Sequence, residues 1–164
     1  MFYLILAAAL TALDQAVKAL VRANIPLGGS VPLIPHVMDL TYVQNTGAAF
    51  SLFAGHTWAL GLVSLVMSVL LAAALVKPVF RHPLGRVCLA VVLAGAVGNL
   101  IDRFALGFVT DMFRTLFIRF AVFNVADVCV VVGGIALCVY LLFFFDKLEP
   151  KQPEAAHDAP DADG

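Results

Sequence analysis

Two aspartates, Asp111 and Asp127, are the side chains of this sequence best suited to chemistry, because each stands where an apolar run meets a loop. Ionisable groups are costly at membrane depth, so each is a candidate functional residue by default. Two carboxyl groups held close together can share one proton, so that one is ionised and activates water while the other is neutral and donates. The pair therefore predicts hydrolysis of a peptide bond without a metal ion or a nucleophilic side chain.

Further polar residues lie close to these aspartates in the sequence. Asn99 and Arg103 are four residues apart and share a helix face, while Asp102 points to an adjacent face. We expect Arg103 and Asn124 to orient and tune the aspartate pair, since an adjacent cation lowers the pKa of a carboxyl group. Asn99 is expected to act with them, from the third apolar run.

The first apolar run carries another candidate pair, Asp14 and Lys18, which are four residues apart on one helix face. Two interpretations stay open for this pair. It is either a structural ion pair inside the membrane or a support for the site.

The number and spacing of the cysteines argue against a metal site and against a reactive thiol. Cys88, Cys129 and Cys138 all lie inside apolar runs, and an odd number without CxxC spacing argues against both a disulfide framework and a zinc site. No cluster of histidine, cysteine and aspartate has metal-ligand spacing. We therefore interpret the cysteines as packing residues and expect neither a metal nor a cofactor.

Composition places the chain in a membrane. Of its 164 residues, 62% are hydrophobic and 13% are charged, whereas an ordinary soluble domain is about half apolar and about a quarter charged. Nothing suggests a nucleic-acid partner, which would require clustered Lys and Arg. The expected fold is a mainly α membrane protein with four transmembrane helices and a small extramembrane β-sheet on the outer face. The spans are expected at about 1–21, 58–76, 87–104 and 125–145.

Two segments between the spans are expected to lie outside the membrane. In the outer β region, about 24–55, proline and glycine forbid a continuous helix, and residues 38–43 alternate like a half-buried strand. Asn45 to Gly47 supplies a turn. In the outer loop, about 106–122, a helical apolar stripe is formed by Phe113, Leu116, Phe117 and Phe120, but residues 117–123 could equally be extended, and we interpret the loop as interfacial. Residues 1–145 form the single expected domain, and 146–164 a disordered cytoplasmic tail.

Four spans put both termini on one side of the membrane, but counting Lys and Arg does not by itself say which side. Five lie with the termini and the loop 77–86, and five lie opposite. The compact loop 77–86 has three basic residues and no acid, which favours cytoplasmic termini and an active site toward the periplasmic face.

Five short motifs, in this order, resemble the lipoprotein signal peptidases (signal peptidase II), aspartyl proteases of the bacterial cytoplasmic (inner) membrane. The match runs from Asp14 to Asp127, and its motifs are LDQAVK (13–18), NTGAAF (45–50), GNLIDR (98–103), Asp111 and FNVAD (123–127). The resemblance implies that Asp111 and Asp127 are the catalytic pair. It also implies a set of supporting polar residues: Asp14, Asn45, Gly47, Asn99, Arg103 and Asn124.

The resemblance further implies a substrate, a prolipoprotein whose lipobox cysteine already carries diacylglycerol and which is cut just before that cysteine. An apolar cleft between the spans would hold the acyl chains, so membrane lipid is the other expected partner, and the enzyme is expected to be a monomer. Three departures from the family pattern affect lid packing or local hydrogen bonding: Val128 in place of serine, Phe120-Ala121 in place of Trp-Pro, and Thr110 in place of an apolar residue.

Other functions fit the membrane aspartates less well. A proton-linked transporter or channel subunit would also carry them, but these aspartates lie at one interface, and no inverted repeat is evident. A structural four-helix adaptor leaves the polar cluster unexplained. A presenilin-like protease is disfavoured because the sequence has no GxGD motif.

Overall fold

The computed structural model describes residues 1–47, 57–77 and 79–149. Three parts of the expectations lie outside this range: residues 48–50 of the second motif, the outer β region between 48 and 55, and the tail from 150 onward.

Four helices in the described part of the chain are long and apolar enough to cross a membrane. They are α1 (Phe2–Asn24), α2 (Thr57–Val76), α3 (Pro83–Leu106) and α4 (Val125–Val139). Helix α4 continues through a π-helical turn (Tyr140–Phe144) into a last turn, Phe145–Leu148, so its apolar span extends to Leu148. Together with a small sheet, these helices confirm the expected fold class.

The helix ends differ from the expected bounds where local capping extends them. Helix α3 begins four residues before the expected start, because Pro83 suits the first helical position and His82 Nδ1 accepts a hydrogen bond from the Leu84 N–H at 3.3 Å. It ends at Gly107, whose φ of 78° is the left-handed conformation that glycine adopts readily. The expectation that the tail is disordered from residue 146 is wrong for Asp146 to Leu148, which continue the helix.

Helix α3 is the central element, with half of its apolar window buried, and two glycines bring its neighbours close to it. A Cβ on Gly95 would collide with the carbonyl oxygen of Ala126 on α4, and a Cβ on Gly98 would lie 2.6 Å from Asp14 Oδ2 on α1. The glycines therefore let polar groups of α1 and α4 approach one side of α3. By contrast, α2 and α4 expose many valines and leucines, as helices facing lipid do.

The sheet has three antiparallel strands in the order β1 (Ser30–Ile34), β2 (Met38–Asn45) and β3 (Val109–Thr115). Its middle strand contains the expected strand at 38–43. The third strand comes from the outer loop, but it ends before residues 117–123, where the extended alternative is expected; those residues form neither a helix nor a strand, and Phe123 makes an isolated bridge to Phe113. Val43 pairs with Asp111 and Asn45 with Val109, which brings Asn45 and Asp111 into diagonal contact on one face.

Candidate active site

Asp111 and Asp127 come together around one asparagine. Asp111 lies on β3 and is 2% exposed, while Asp127 lies in the first turn of α4. Asn124 Nδ2 donates a hydrogen bond to Asp111 Oδ1 at 2.6 Å, and the Asn124 backbone N–H donates to Asp127 Oδ2 at 3.1 Å. A single residue thus joins the two carboxyl groups that the sequence singles out.

Asn124 is also the N-cap of α4. Its Oδ1 accepts a hydrogen bond from the Asp127 backbone N–H at 2.9 Å, and the Asp127 side chain bonds back to the Asn124 backbone. This reciprocal capping box satisfies two N–H groups that a helix start leaves unpaired. Asp127 is therefore held by the same interactions that begin the helix, and its side chain is fixed in orientation.

Asn45 is the second donor to Asp111. Its Nδ2 donates to Asp111 Oδ2 at 2.9 Å, and its Oδ1 accepts a hydrogen bond from the Gly47 backbone N–H at 2.9 Å. The expected turn at 45–47 thus orients the carboxamide. Gly47 acts in it through its backbone rather than through a side chain.

Asn99 is the second donor to Asp127. Its Nδ2 donates to Asp127 Oδ1 at 2.7 Å, and its Oδ1 accepts a hydrogen bond from Lys18 Nζ at 3.0 Å. In each of the three carboxamides the oxygen faces a group that can only donate, either a backbone N–H or an ammonium. Each amide nitrogen must then point at a carboxylate, and all four carboxylate oxygens accept an N–H.

A buried ion cluster lies behind the two aspartates. Lys18 Nζ lies 2.9 Å from Asp14 Oδ2 and 3.3 Å from Asp102 Oδ2, and all three side chains are at most 1% exposed. Gln15 Nε2 donates to both carboxylates, at 3.2 and 3.1 Å. The pair expected on α1 is therefore a triad that spans α1 and α3.

The carboxylates of this triad also bind the backbone next to each candidate catalytic residue. Asp14 Oδ1 accepts the Ala126 N–H at 2.9 Å, immediately before Asp127. Asp102 Oδ2 accepts the Thr110 N–H at 2.8 Å, immediately before Asp111. The triad thus fixes the two chain segments that carry the aspartates relative to each other.

Sequence reasoning leaves Lys18 open between a structural ion pair and a support for the site, and it gives Asp102 no role. Their signal was present in the LDQAVK and GNLIDR motifs, but the ion pair joins residues 84 positions apart on different helices, which helical spacing does not reveal. Thr110, the departure before Asp111, is fully buried, and its hydroxyl accepts a hydrogen bond from Arg22 Nη1 at 2.9 Å.

Arg103 lies beside the aspartates without a hydrogen bond to either within the described residues. Its Nη1 donates to Ser64 Oγ at 3.4 Å and to the Asn99 carbonyl oxygen at 3.3 Å. It lines the same cavity as both aspartates, so its charge acts on them through space.

A cavity of about 590 Å³ begins at Asn45, Asp111 and Asp127 and runs between α2, α3 and α4. Away from the aspartates its wall is apolar. The departures at Phe120, Ala121 and Val128 all line it. A second cavity, of about 880 Å³, shares Asn45, Gly47 and Asp111 and follows the sheet and the segment 114–122 outward.

Burial and the negative charge of Asp127 raise the pKa of Asp111 to about 6, against the opposing effect of the hydrogen bonds from Asn45 and Asn124. A carboxyl group with such a pKa retains its proton into the range where an ordinary aspartate has lost it. The site can therefore hold one neutral and one ionised carboxyl group side by side.

Known proteins with a similar sequence are signal peptidases. A family model described as "Signal peptidase (SPase) II" matches residues 6–143. The lipoprotein signal peptidase of Clostridioides difficile (strain 630) is 43% identical over 90% of this chain and 99% of its own length. That of Moorella thermoacetica is 46% identical over 85% of this chain and 92% of its own.

A solved structure described as a bacterial membrane enzyme, determined by the in meso method at 2.3 Å resolution, superposes with a TM-score of 0.82. The two sequences are 27% identical, and the superposition covers 93% of this chain and 94% of the other. A second such structure, at 1.9 Å resolution, gives a TM-score of 0.78 at 28% identity. The family match over most of the sequence and the shared four-helix fold together show that this chain belongs to the signal peptidase II family.

Proposed function

We propose that this chain is an aspartic endopeptidase that removes the signal peptide from diacylglyceryl prolipoproteins by hydrolysis just before the lipidated cysteine. The observation that carries the proposal is the pair Asp111 and Asp127, bridged by Asn124 at the polar end of an apolar cavity. The names of its relatives, lipoprotein signal peptidases, support the same substrate class.

In the proposed reaction, a water molecule between the two carboxyl groups attacks the carbonyl carbon of the scissile bond. The ionised aspartate takes a proton from the water while the neutral one donates its proton to the carbonyl oxygen. The roles then reverse, so that the amide nitrogen is protonated, the C–N bond breaks and the dyad regains a single shared proton. Asn45, Asn99 and Asn124 hold the carboxyl groups in place, and the charge of Arg103 steadies the ionised form.

The apolar cavity is proposed to bind the acyl chains of the substrate. Burying a methylene group is worth about 0.8 kcal/mol, so even partial burial of two chains exceeds what a few lipobox side chains supply. This remote binding energy can hold the scissile bond beside Asp111 and Asp127. The lipid thus selects the substrate as much as the peptide does.

We place the enzyme in the bacterial cytoplasmic (inner) membrane as a monomer, with cytoplasmic termini and the aspartates toward the periplasmic face. The compact basic loop 77–86 supports this orientation.

The test is cleavage of one prolipoprotein, with and without diacylglycerol on its cysteine, by the purified protein in the same detergent. We expect a signal-peptide shift for the lipidated form, with a much higher kcat/KM than for the unlipidated form, and no cleavage by Asp111→Asn or Asp127→Asn. Turnover by either variant would remove the dyad from the mechanism. Equal kcat/KM for the two substrates would remove the role of the lipid.

A further inference from the structure

Lys18 has more contacts than a structural ion pair requires. Its ammonium is completely buried and contacts Asp14 and Asp102, yet its third partner is the neutral oxygen of Asn99. One carboxylate would balance its charge. The third contact connects the ammonium, through one carboxamide, to Asp127.

The geometry of Asn99 depends on this contact. An ammonium has three donors and no acceptor, so it must face Asn99 Oδ1, and Nδ2 must then face Asp127 Oδ1. Without Lys18, the carboxamide can turn, and its oxygen can accept a hydrogen bond from protonated Asp127, which favours the neutral acid. A hydrogen bond to the charged form of an acid favours that form, so a fixed Asn99 favours ionised Asp127.

The two aspartates differ in the groups that orient their hydrogen-bond donors. Asp111 accepts from Asn124 and Asn45, which are both oriented by neutral backbone N–H groups. Asp127 accepts from Asn99, oriented by a full charge, and from a backbone N–H at the start of α4, where the helix dipole favours an anion.

We propose that Lys18 is a positioning residue that acts through Asn99 to keep Asp127 the ionised member of the pair, which leaves the shared proton on Asp111. This proposal rests on the aspartate mechanism proposed above. In these terms Asp127 takes the proton from the attacking water, and Asp111 gives its proton to the carbonyl oxygen. The raised pKa of Asp111 agrees with this assignment.

The proposed effect of Lys18 on Asp127 depends on the hydrogen bond that it orients through Asn99 rather than on the net charge of the triad. The charged groups that act on Asp127 are Lys18 from α1, Arg103 from α3 and Asp111 from β3. Because Asp14 and Asp102 both pair with Lys18, the triad as a whole carries a formal charge of −1. This net charge does not by itself favour ionised Asp127; the Lys18 ammonium and the hydrogen bond that it orients through Asn99 do.

This distinction allows a charge-matched test. Lys18→Met combined with Asp102→Asn leaves Asp14 alone, and the cluster keeps its formal charge of −1. The carboxamide oxygen introduced at position 102 can still accept the Thr110 N–H. The control, Asp102→Asn by itself, retains the bond from Lys18 to Asn99. The measurement is kcat/KM for a diacylglyceryl prolipoprotein against pH, since its acidic limb reports the base of the free enzyme.

We expect the acidic limb of the pH profile of the double variant to move up by about one pH unit. At pH values below the limb, kcat/KM should then be about tenfold lower, and above the limb it should recover. Asn99→Ala should give the same displacement, and adding it to the double variant should move the limb no further. The control should not move upward. A purely structural role would lower activity at every pH without moving the limb.

An unmoved limb in the double variant, or displacements that add, would overturn the proposal. If the double variant does not fold, Asn99→Ala is the deciding variant, because it leaves Lys18 paired with both carboxylates. An acidic limb that moves to higher pH in this variant supports the proposal, and a limb that does not move overturns it. The dyad variants keep the two proposals separate, because turnover by Asp111→Asn or Asp127→Asn refutes the dyad itself.

Discussion

At the scale of single residues, the site depends on groups that can only donate hydrogen bonds. Backbone N–H groups at Gly47 and Asp127 orient two carboxamides, and the Lys18 ammonium orients a third. None of these donors can accept a proton or reverse its polarity. The carboxyl groups are therefore surrounded by a fixed set of N–H donors before any substrate arrives, and this preorganisation is what electrostatic catalysis requires.

Asn124 has two tasks, and Asn124→Ser should separate them. A serine hydroxyl can still cap α4, but it does not replace the Nδ2 donor to Asp111. Removing the partner of a buried acceptor costs about 1–3 kcal/mol, so we expect activity to fall by about 5- to 100-fold, with a smaller loss of thermal stability in detergent than in Asn124→Ala. Asn124→Ala should lose the cap as well, at a cost of about 1 kcal/mol. A serine variant with full activity would contradict the role of the amide.

The pKa of Asp111 leads to a prediction about pH. Above this pKa the group is ionised and cannot donate to the carbonyl oxygen, so activity falls as the pH rises. Burial and the charge of Asp127 already raise the pKa to about 6, and acyl chains that displace water from the cavity should raise it further. We therefore expect the basic limb of kcat to lie at higher pH than that of kcat/KM. Coincident limbs in the two profiles would show that substrate does not desolvate Asp111.

At the scale of elements, the sequence predicts the four helices well because long apolar runs leave little choice. It predicts the third strand poorly. The first four residues of β3 are all buried, so the strand lacks the alternation that marks β2, and its partner lies over sixty residues away. The ion triad is hidden for the same reason: Asp14 and Lys18 are a local pair, but Asp102 joins them only when α1 packs on α3.

The close approach of α3 and α4 gives a prediction with a control inside the same protein. Gly95→Ala would push a Cβ into the Ala126 carbonyl oxygen, next to Asp127, whereas a Cβ at Gly134 meets nothing within 4 Å. We expect Gly95→Ala to destabilise the protein by about 1–3 kcal/mol and to reduce cleavage at least tenfold. Gly134→Ala should be neutral or slightly stabilising. Thermal unfolding in detergent and the cleavage assay measure both, and equal behaviour of the two variants would contradict the packing argument.

At the scale of the whole molecule, the structure changes how the basic residues are weighed. Lys18 and Arg103, counted on the outer side, lie inside helices and belong to the site. Arg22 bonds Thr110, and Arg114 pairs with Asp39 at 2.6 Å. Of the six remaining basic residues, Arg119 belongs to the outer loop, and five belong with the termini and the loop 77–86: Lys77, Arg81, Arg86, Lys147 and Lys151.

This orientation can be measured by cysteine labelling after the native cysteines are replaced. Val31 lies half exposed on β1, and Arg81 lies in the opposite loop. A membrane-impermeant reagent should label Val31→Cys in intact spheroplasts, but it should label Arg81→Cys only after the membrane is opened. Labelling of Arg81→Cys from outside would reverse the proposed topology.

The locked carboxamides also matter for inhibitor design. Since Asn45, Asn99 and Asn124 each direct an N–H at a carboxyl oxygen, the groups that face an inhibitor placed between the aspartates are the carboxyl oxygens themselves. A ketone or a carboxylate group of an inhibitor is itself an acceptor, and the dyad has only one shared proton to donate to it. A secondary alcohol can donate to the ionised aspartate and accept from the neutral one, and a branched hydrocarbon attached to it would fill the adjoining cavity of about 590 Å³. Inhibitor design for this site should therefore start from hydrophobic secondary alcohols, and their potency should fall as alkaline pH removes the shared proton.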